Sequence, residues 1–225
     1  MQETAFDEVG VYAAMRTLRA VRRLRPDPIP RPVLDRVLEA ASWAPTGGNV
    51  QPWRVIAVSD RELVRRLGEL YAERWLAYSK QHMAQRLGRA LELRAKTERM
   101  LDAGNYLAEH FADTPVVLVF CFNPKLMAIT DIKQSRVSVV GGASIYPAVE
   151  NALLACRAEG LGCVLTTLLC EVEPEVRSLL AIPEPWATAA AVPIGYPVAR
   201  GHGPITRRPV AKLAFSDRWD HVFRG

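Results

Sequence analysis

ASWAPTGGNVQPWRVIAV, running from Ala41 to Val58, decides how the rest of the chain is read. Its first residues close a helical pattern. In RPVLDRVLEAASWA, Arg31–Ala44, the apolar positions Val33, Val37, Leu38 and Ala41 share one face, and Pro32 stands at the start. Its last residues, WRVIAVS from Trp53, read as a strand. Between them lie Pro45, Thr46, Gly47, Gly48, Asn49 and Gln51, nearly all small or amide-bearing. A plain turn needs only one or two such residues. Gly47 and Gly48 let a backbone approach a flat ligand closely, and Asn49 and Gln51 carry amides suited to its polar edge.

Working outward, DEVGVYAAMRTL (7–18) reads as a short helix with Asp7 and Glu8 at its positive end. RAVRRLRPDPIP (19–30) is extended, because Pro26, Pro28 and Pro30 exclude a helix. Residues 60–112 read as two long helices, with Leu63, Leu67, Leu70, Tyr71 and Trp75 at helical spacing and Gly88 and Gly104 as the candidate breaks. TPVVLVFCF (114–122) is a buried strand, and residues 123–140 read as a mobile loop. GGASIYPAVENALLACRAEG (141–160) is a helix closed by Gly160. CVLTTLL (163–169) reads as a strand, EPEVRSLLAI (173–182) as a helix and ATAAAVPIGYP (187–197) as the last strand. The order α-α-β-α-α-β-α-β-α-β implies an α+β fold with helices covering a central sheet. There is no repeat and no linker. The expectation is one domain over 1–225, with a helical insert around 71–111 and an extended C-terminal arm over 198–225.

The 225 residues carry a net charge of +5, which suits an anionic ligand and is weak evidence for nucleic acid. Cys121, Cys156, Cys163 and Cys170 form no Cys-x-x-Cys pair and have no histidine at zinc-ligand spacing. Free, mostly buried thiols in a reducing cytoplasm are expected, with no metal site. No apolar run approaches the length of a membrane span, and the N-terminal acids precede the arginines, the wrong order for a signal peptide.

Several chemistries are disfavoured. GLGCV (160–164) lies between a helix and a strand, whereas a dinucleotide fingerprint needs strand then helix; GHGPIT (201–206) precedes no helix. There is no Walker A sequence and no Gly-x-Ser-x-Gly, and His82, His110, His202 and His221 read as surface or packing histidines. What remains is a distributed anion site. Arg19, Arg22 and Arg23 lie on the extended segment, where alternation keeps all three from reaching one ligand, and Arg207 and Arg208 form a second cluster. The same arginines also read as solvated surface. Thr166 and Thr167 place two hydroxyls at a strand end, where capping of the next turn is the plain alternative.

RAVRRLRPDPIP, APTGGNVQPWRVIAV, GGASIYPAVENALLACRAEGLGCVLTT, PIGYP and the late RRP together resemble the nitroreductase family of FMN-dependent oxidoreductases, in order and over nearly the whole chain. The resemblance implies a three-layer fold with a mostly antiparallel sheet and a homodimer with FMN at its interface. It also implies hydride transfer from NADH or NADPH through the flavin to a nitroaromatic, quinone or activated-alkene acceptor, by a ping-pong cycle. Arg19, Ala20, Val21 and Arg22 would hold the phosphate and the pyrimidine side of the flavin. Ala20 stands where many relatives have serine, so one phosphate or ribityl hydrogen bond would be missing there or supplied by backbone, with Arg23 as a candidate substitute. Pro45, Thr46, Gly47, Asn49 and Gln51 would reach the flavin held mainly by the other subunit. Thr166, Thr167 and Leu168 would lie along the ring, with the Thr167 hydroxyl or a following amide as a donor near N5. Arg207, and Arg208 less directly, would close on the phosphate. No catalytic acid or base is required, since the cofactor carries the chemistry. A flavin-dependent dehalogenase on the same fold and a non-catalytic FMN-storage protein are the rival readings. A basic nucleic-acid-binding module is a third, and it predicts a colourless protein.

Overall fold

A computed structural model describes residues 9–86 and 91–223. Four strands form an antiparallel sheet in the order β1-β2-β4-β3: β1 Trp53–Val58, β2 Val116–Phe122, β3 Gly162–Cys163 and β4 Ala187–Gly195. Strand alternation divides β2 between two cores. Val116, Leu118 and Phe120 face one side, where α2 (Arg31–Ser42) and α5 (Tyr146–Ala158) pack through Val37, Ala41, Val149 and Ala152. Val117, Val119 and Cys121 face the other, against Val64, Leu67 and Tyr71 of α3 (Arg61–Arg86) and Leu107 of α4 (Leu91–His110). The result is three layers, with every β2 residue from Val116 to Cys121 buried. Each large side chain so buried contributes about 1.5–3 kcal/mol. Arg36 of α2 ties the first layer together by pairing bidentately with Glu159, at 2.8 and 2.7 Å.

The two terminal helices of the pattern are short: α1 is Val11–Thr17 and α6 is Glu173–Leu179, trimmed from the expected 7–18 and 173–182. The expected N-terminal acids Asp7 and Glu8, and the break at Gly88, lie outside the described residues. Helix α5 begins at Tyr146 rather than 141, because Pro147 is accommodated only in a first turn, and Val140–Ser144 forms a 3-10 turn instead. It ends as expected at Gly160, whose φ is +72°.

Two readings need correcting. Gly104 does not break a helix; it lies inside α4. A Cβ there would meet the Trp75 ring at 1.9 Å, so the glycine is the seat on which α3 and α4 cross. Trp75 is fixed in that seat by its indole N–H, which donates to Asn105 Oδ1 at 2.8 Å. The strand expected over 163–169 is also shorter. It pairs with β4 only at Gly162 and Cys163, touches it again at Thr166, and then turns into a 3-10 stretch at Leu168–Val172. An apolar run is equally compatible with a buried turn, and here the chain leaves the sheet to roof the second core with Leu168 and Leu169. Residues 127–139 form no helix or strand. Beyond β4 the arm carries a 3-10 turn at Val210–Lys212 and a bridge between Phe215 and Val222. Cys121, Cys156 and Cys163 are buried, Cys170 is half-buried, and all four are free thiols.

Candidate functional site

The extended segment after α1 is stitched down between β3 and the chain beyond β4. Val21 N–H donates to the Cys163 carbonyl at 2.8 Å, Arg25 N–H to Tyr196 O at 2.7 Å, and Val198 N–H to Arg23 O at 3.0 Å. Val21 and Leu24 are buried beneath it, packed where a Cβ on Gly162 would intrude at 2.7–2.8 Å. Residues 19–23 therefore face a cavity of about 270 Å³, closed opposite by Ala103 of α4 and by Pro197, Ala199 and Gly201. All three arginines line it, contrary to the alternation argument. The segment makes only one isolated bridge, Leu24 to Pro197, so it does not follow the pleat that alternation assumes.

A second cavity, of about 190 Å³, opens on the other side of Arg22. Its walls are Tyr71, Trp75 and Tyr78 of α3 and the Val164–Leu168 stretch after β3. Arg22 thus belongs to both cavities, which places a cation between an arginine-lined end and an aromatic, hydroxyl-bearing end. Burial pushes the Tyr71 phenol up to about 12, and the nearby Arg22 pulls against that shift. Tyr71 is accordingly a neutral phenol at working pH. Thr166 pairs its backbone with Ala191 in both directions, at 2.9 and 2.8 Å. Its hydroxyl accepts from Leu168 N–H at 3.3 Å, so it caps the following turn. Thr167 is exposed and lines the cavity. Arg23 is drawn to one side, its guanidinium 4.2 Å over the Tyr106 ring, and Tyr106 stacks in turn on His110.

The loop from Pro45 to Gln51 is exposed except at half-buried Thr46, and it lines neither cavity of its own chain. It is nevertheless shaped. Gly48, Asn49 and Gln51 have φ of 58°, 55° and 49°, a left-handed region costly for Gln51 in particular. Gly47 N–H donates to Ser144 Oγ at 3.1 Å, and Gln51 N–H to Thr46 Oγ1 at 3.0 Å. The Gln51 amide reaches Asn49 Oδ1 at 3.2 Å. Pro45 lies between the end of α2 and this loop. Arg207 and Arg208 are exposed on the C-terminal arm and line neither cavity; Arg207 donates to the adjacent Thr206 carbonyl at 3.0 Å.

Sequence reasoning missed Ser144, which holds the loop, and the α3 wall of Tyr71, Trp75 and Tyr78, whose spacing reads equally as core. It also missed Gly201 and His202. Among the described residues no group of His, Cys, Asp and Glu is placed to hold a metal, and no helix is long and apolar enough to cross a membrane.

Comparison with known proteins agrees with this architecture. The model of the nitroreductase family matches residues 15–196. An NADH dehydrogenase of Thermus thermophilus is 32% identical over 201 residues, covering 87% of this chain and 90% of that protein. An iodotyrosine deiodinase of Danio rerio is 28% identical over 198 residues, covering 88% of this chain. The match spans 63% of that deiodinase's length. Among solved structures, the NADPH:FMN oxidoreductase of Vibrio harveyi complexed with NAD+ superposes with a TM-score of 0.67 at 16% identity, covering 95% of this chain and 79% of that one.

Proposed function

The chain belongs to the nitroreductase family, and on that premise we propose that it is an FMN-dependent oxidoreductase drawing hydride from NADH or NADPH and reducing a nitroaromatic, quinone or activated-alkene acceptor in a ping-pong cycle. The observation that carries the reading is the pair of cavities meeting at Arg22. Their chemistry fits FMN end to end. One holds guanidinium groups for a phosphate and the other offers aromatic walls and a turn of backbone for a planar ring. When bound, FMN supplies the hydride-accepting and hydride-donating centre.

The chain's own residues do the rest. Arg19 and Arg22 bind and orient, with Arg23 steadied by Tyr106 at the rim. Arg22 places a fixed positive charge between the cavities, where negative charge on a pyrimidine edge is stabilised without reorganisation. The Thr166 cap holds the Thr167–Leu168 backbone in one conformation against the ring-sized space, and Thr167 offers a hydroxyl there. Tyr71 and Trp75 exclude water from one wall. The loop Thr46–Gln51, rigid but turned away from its own cavities, is available to complete the site of a second copy in a homodimer. The arm with Arg207 and Arg208 is available to close over the phosphate.

A reductive dehalogenase is the second reading, favoured by the 28% identity to the Danio rerio deiodinase. One experiment separates these readings. The purified chain is reconstituted with FMN, and its absorbance is followed anaerobically after NADH and then NADPH. A yellow protein that bleaches and is reoxidised by a nitroaromatic or quinone supports the reductase. Reoxidation by a halogenated phenol alone, with halide released, replaces it with the dehalogenase. A yellow protein that neither nucleotide bleaches indicates a different reductant or storage, and one that takes up no FMN overturns the reading.

A further inference from the structure

Gly201–His202–Gly203 precedes no helix and matches no phosphate-loop pattern, yet it makes two contacts with Arg19 and one with Thr17 at the end of α1. Arg19 Nε donates to the Gly201 carbonyl at 2.7 Å. The Arg19 backbone N–H points to His202 Nδ1 at 3.4 Å. Gly203 N–H donates to Thr17 O at 3.0 Å. His202 is itself buried, 8% exposed, and its other ring nitrogen lies 2.8 Å from the Leu161 carbonyl in the turn between α5 and β3.

A backbone N–H can only donate and a carbonyl can only accept, so Nδ1 accepts from Arg19 and Nε2 donates to Leu161, with the Cys163 thiol beside the same ring. The ring therefore spans from the α5–β3 turn to the base of Arg19. Gly201 sets the direction of the contact with Arg19 Nε. Its φ is +69°, and a Cβ there would meet Pro197 at 2.8 Å, so its carbonyl is held where Arg19 Nε finds it. With Nε committed to Gly201, the two amino groups of the Arg19 guanidinium remain for an anion in the cavity that Arg19 and Gly201 both line.

We propose that Gly201–His202–Gly203 is a clasp on Arg19, and that His202 is a positioning residue for recognition of the flavin phosphate. This rests on the FMN reading above. His202 touches no part of the cofactor and acts through Arg19. A merely structural histidine would support both ends of the ligand alike, whereas this one acts on the phosphate end alone.

The test compares FMN with riboflavin, which lacks the phosphate, by quenching of flavin fluorescence on wild type, His202→Gln and His202→Asn. Glutamine places its amide near the Nε2 position and loses the acceptor facing Arg19; asparagine keeps an oxygen near Nδ1. His202→Gln is expected to weaken FMN about tenfold and riboflavin by less than about twofold, with His202→Asn within about threefold of wild type for both. In an Arg19→Gln background, His202→Gln is expected to add no further loss. Equal losses of FMN and riboflavin, full additivity with Arg19→Gln, or wild-type FMN binding by His202→Gln would each overturn the clasp while leaving the FMN reading intact. A wild type that binds neither flavin overturns that reading and the clasp with it. Should His202→Gln not fold, nitrogen NMR of the wild-type imidazole takes its place. The unprotonated Nδ1 signal is expected to move on adding FMN and not riboflavin, and an identical response to both overturns the proposal.

Discussion

Arg22 is the side chain that the two halves of the proposed site share, because it lines both cavities while Arg19 and Arg23 line one. Replacing it with glutamine keeps some hydrogen-bonding capacity and removes the charge. A hydrogen bond to a charged group is worth about 1.5–3 kcal/mol, so Arg22→Gln is expected to weaken FMN by roughly 10- to 100-fold in a fluorescence titration. Tyr71, against the same arginine, makes a prediction about stability. Burial raises its folded-state value to about 12, above the ordinary phenol value of 10.0. Between those values the unfolded chain has lost the phenolic proton and the folded chain has kept it. Stability is thus fully present below pH 10 and is lost as pH rises toward 12, by about 2–3 kcal/mol over the window. Tyr71→Phe removes that titration. Urea unfolding at pH 9, 10.5 and 11.5 is expected to show wild type losing stability relative to Tyr71→Phe as pH rises, and parallel curves would exclude the effect.

The α3–α4 seam shows what a residue type means once an element is packed. Glycine in a helical pattern signals a break from sequence alone, yet Gly104 is where the Trp75 ring lies against α4. Gly104→Ala gains helix propensity and collides with a ring that Asn105 holds in place, so overpacking wins. A net loss of roughly 1–3 kcal/mol is expected in urea unfolding, with the α-helical circular dichroism retained. The elements that were readable from sequence are those whose periodicity and burial agree: α2, α5, β1, β2 and β4, each apolar on the face the layers require. The stretch after Cys163 was not readable, because an apolar run does not distinguish a strand from a buried turn. The arginine segment and the Thr46–Gln51 loop could be picked out because their residues are locally unusual. Tyr71, Trp75 and His202 could not, since what defines them lies far along the chain. His202 meets Leu161 and Arg19, 41 and 183 residues away, and no local pattern encodes that. Ser144 is the same kind of residue: its hydroxyl receives Gly47 N–H from 97 residues away. Ser144→Ala is expected to leave the thermal midpoint within about 3 °C of wild type, since one exposed hydrogen bond is worth little, while loosening the loop enough to weaken FMN measurably.

At the scale of the molecule, one chain leaves large apolar residues exposed. Val137, Val139, Trp219 and Val222 are 86%, 76%, 82% and 67% exposed, and Tyr12 and Trp43 add to them on α1 and at the end of α2. Large apolar residues concentrated on irregular segments after β2 and on the C-terminal arm are the kind of surface a second copy would cover in the proposed homodimer. The loop Thr46–Gln51 points the same way, being rigidly built yet idle in its own chain. In the proposed homodimer both features have one cause: the arm embraces the partner and the loop completes the partner's flavin site. Sedimentation of the full chain is then expected at twice the single-chain mass. Removing residues 207–225 takes away Trp219, Val222, Arg207 and Arg208, and should shift the chain toward the monomer and weaken FMN in parallel. Gln51→Ala leaves the arm intact, and should weaken FMN without changing the mass, because the loop acts across the interface rather than building it. A full-length chain that sediments as a monomer and still binds FMN tightly would return the loop to a purely local role and leave the two cavities at Arg22 as the complete site.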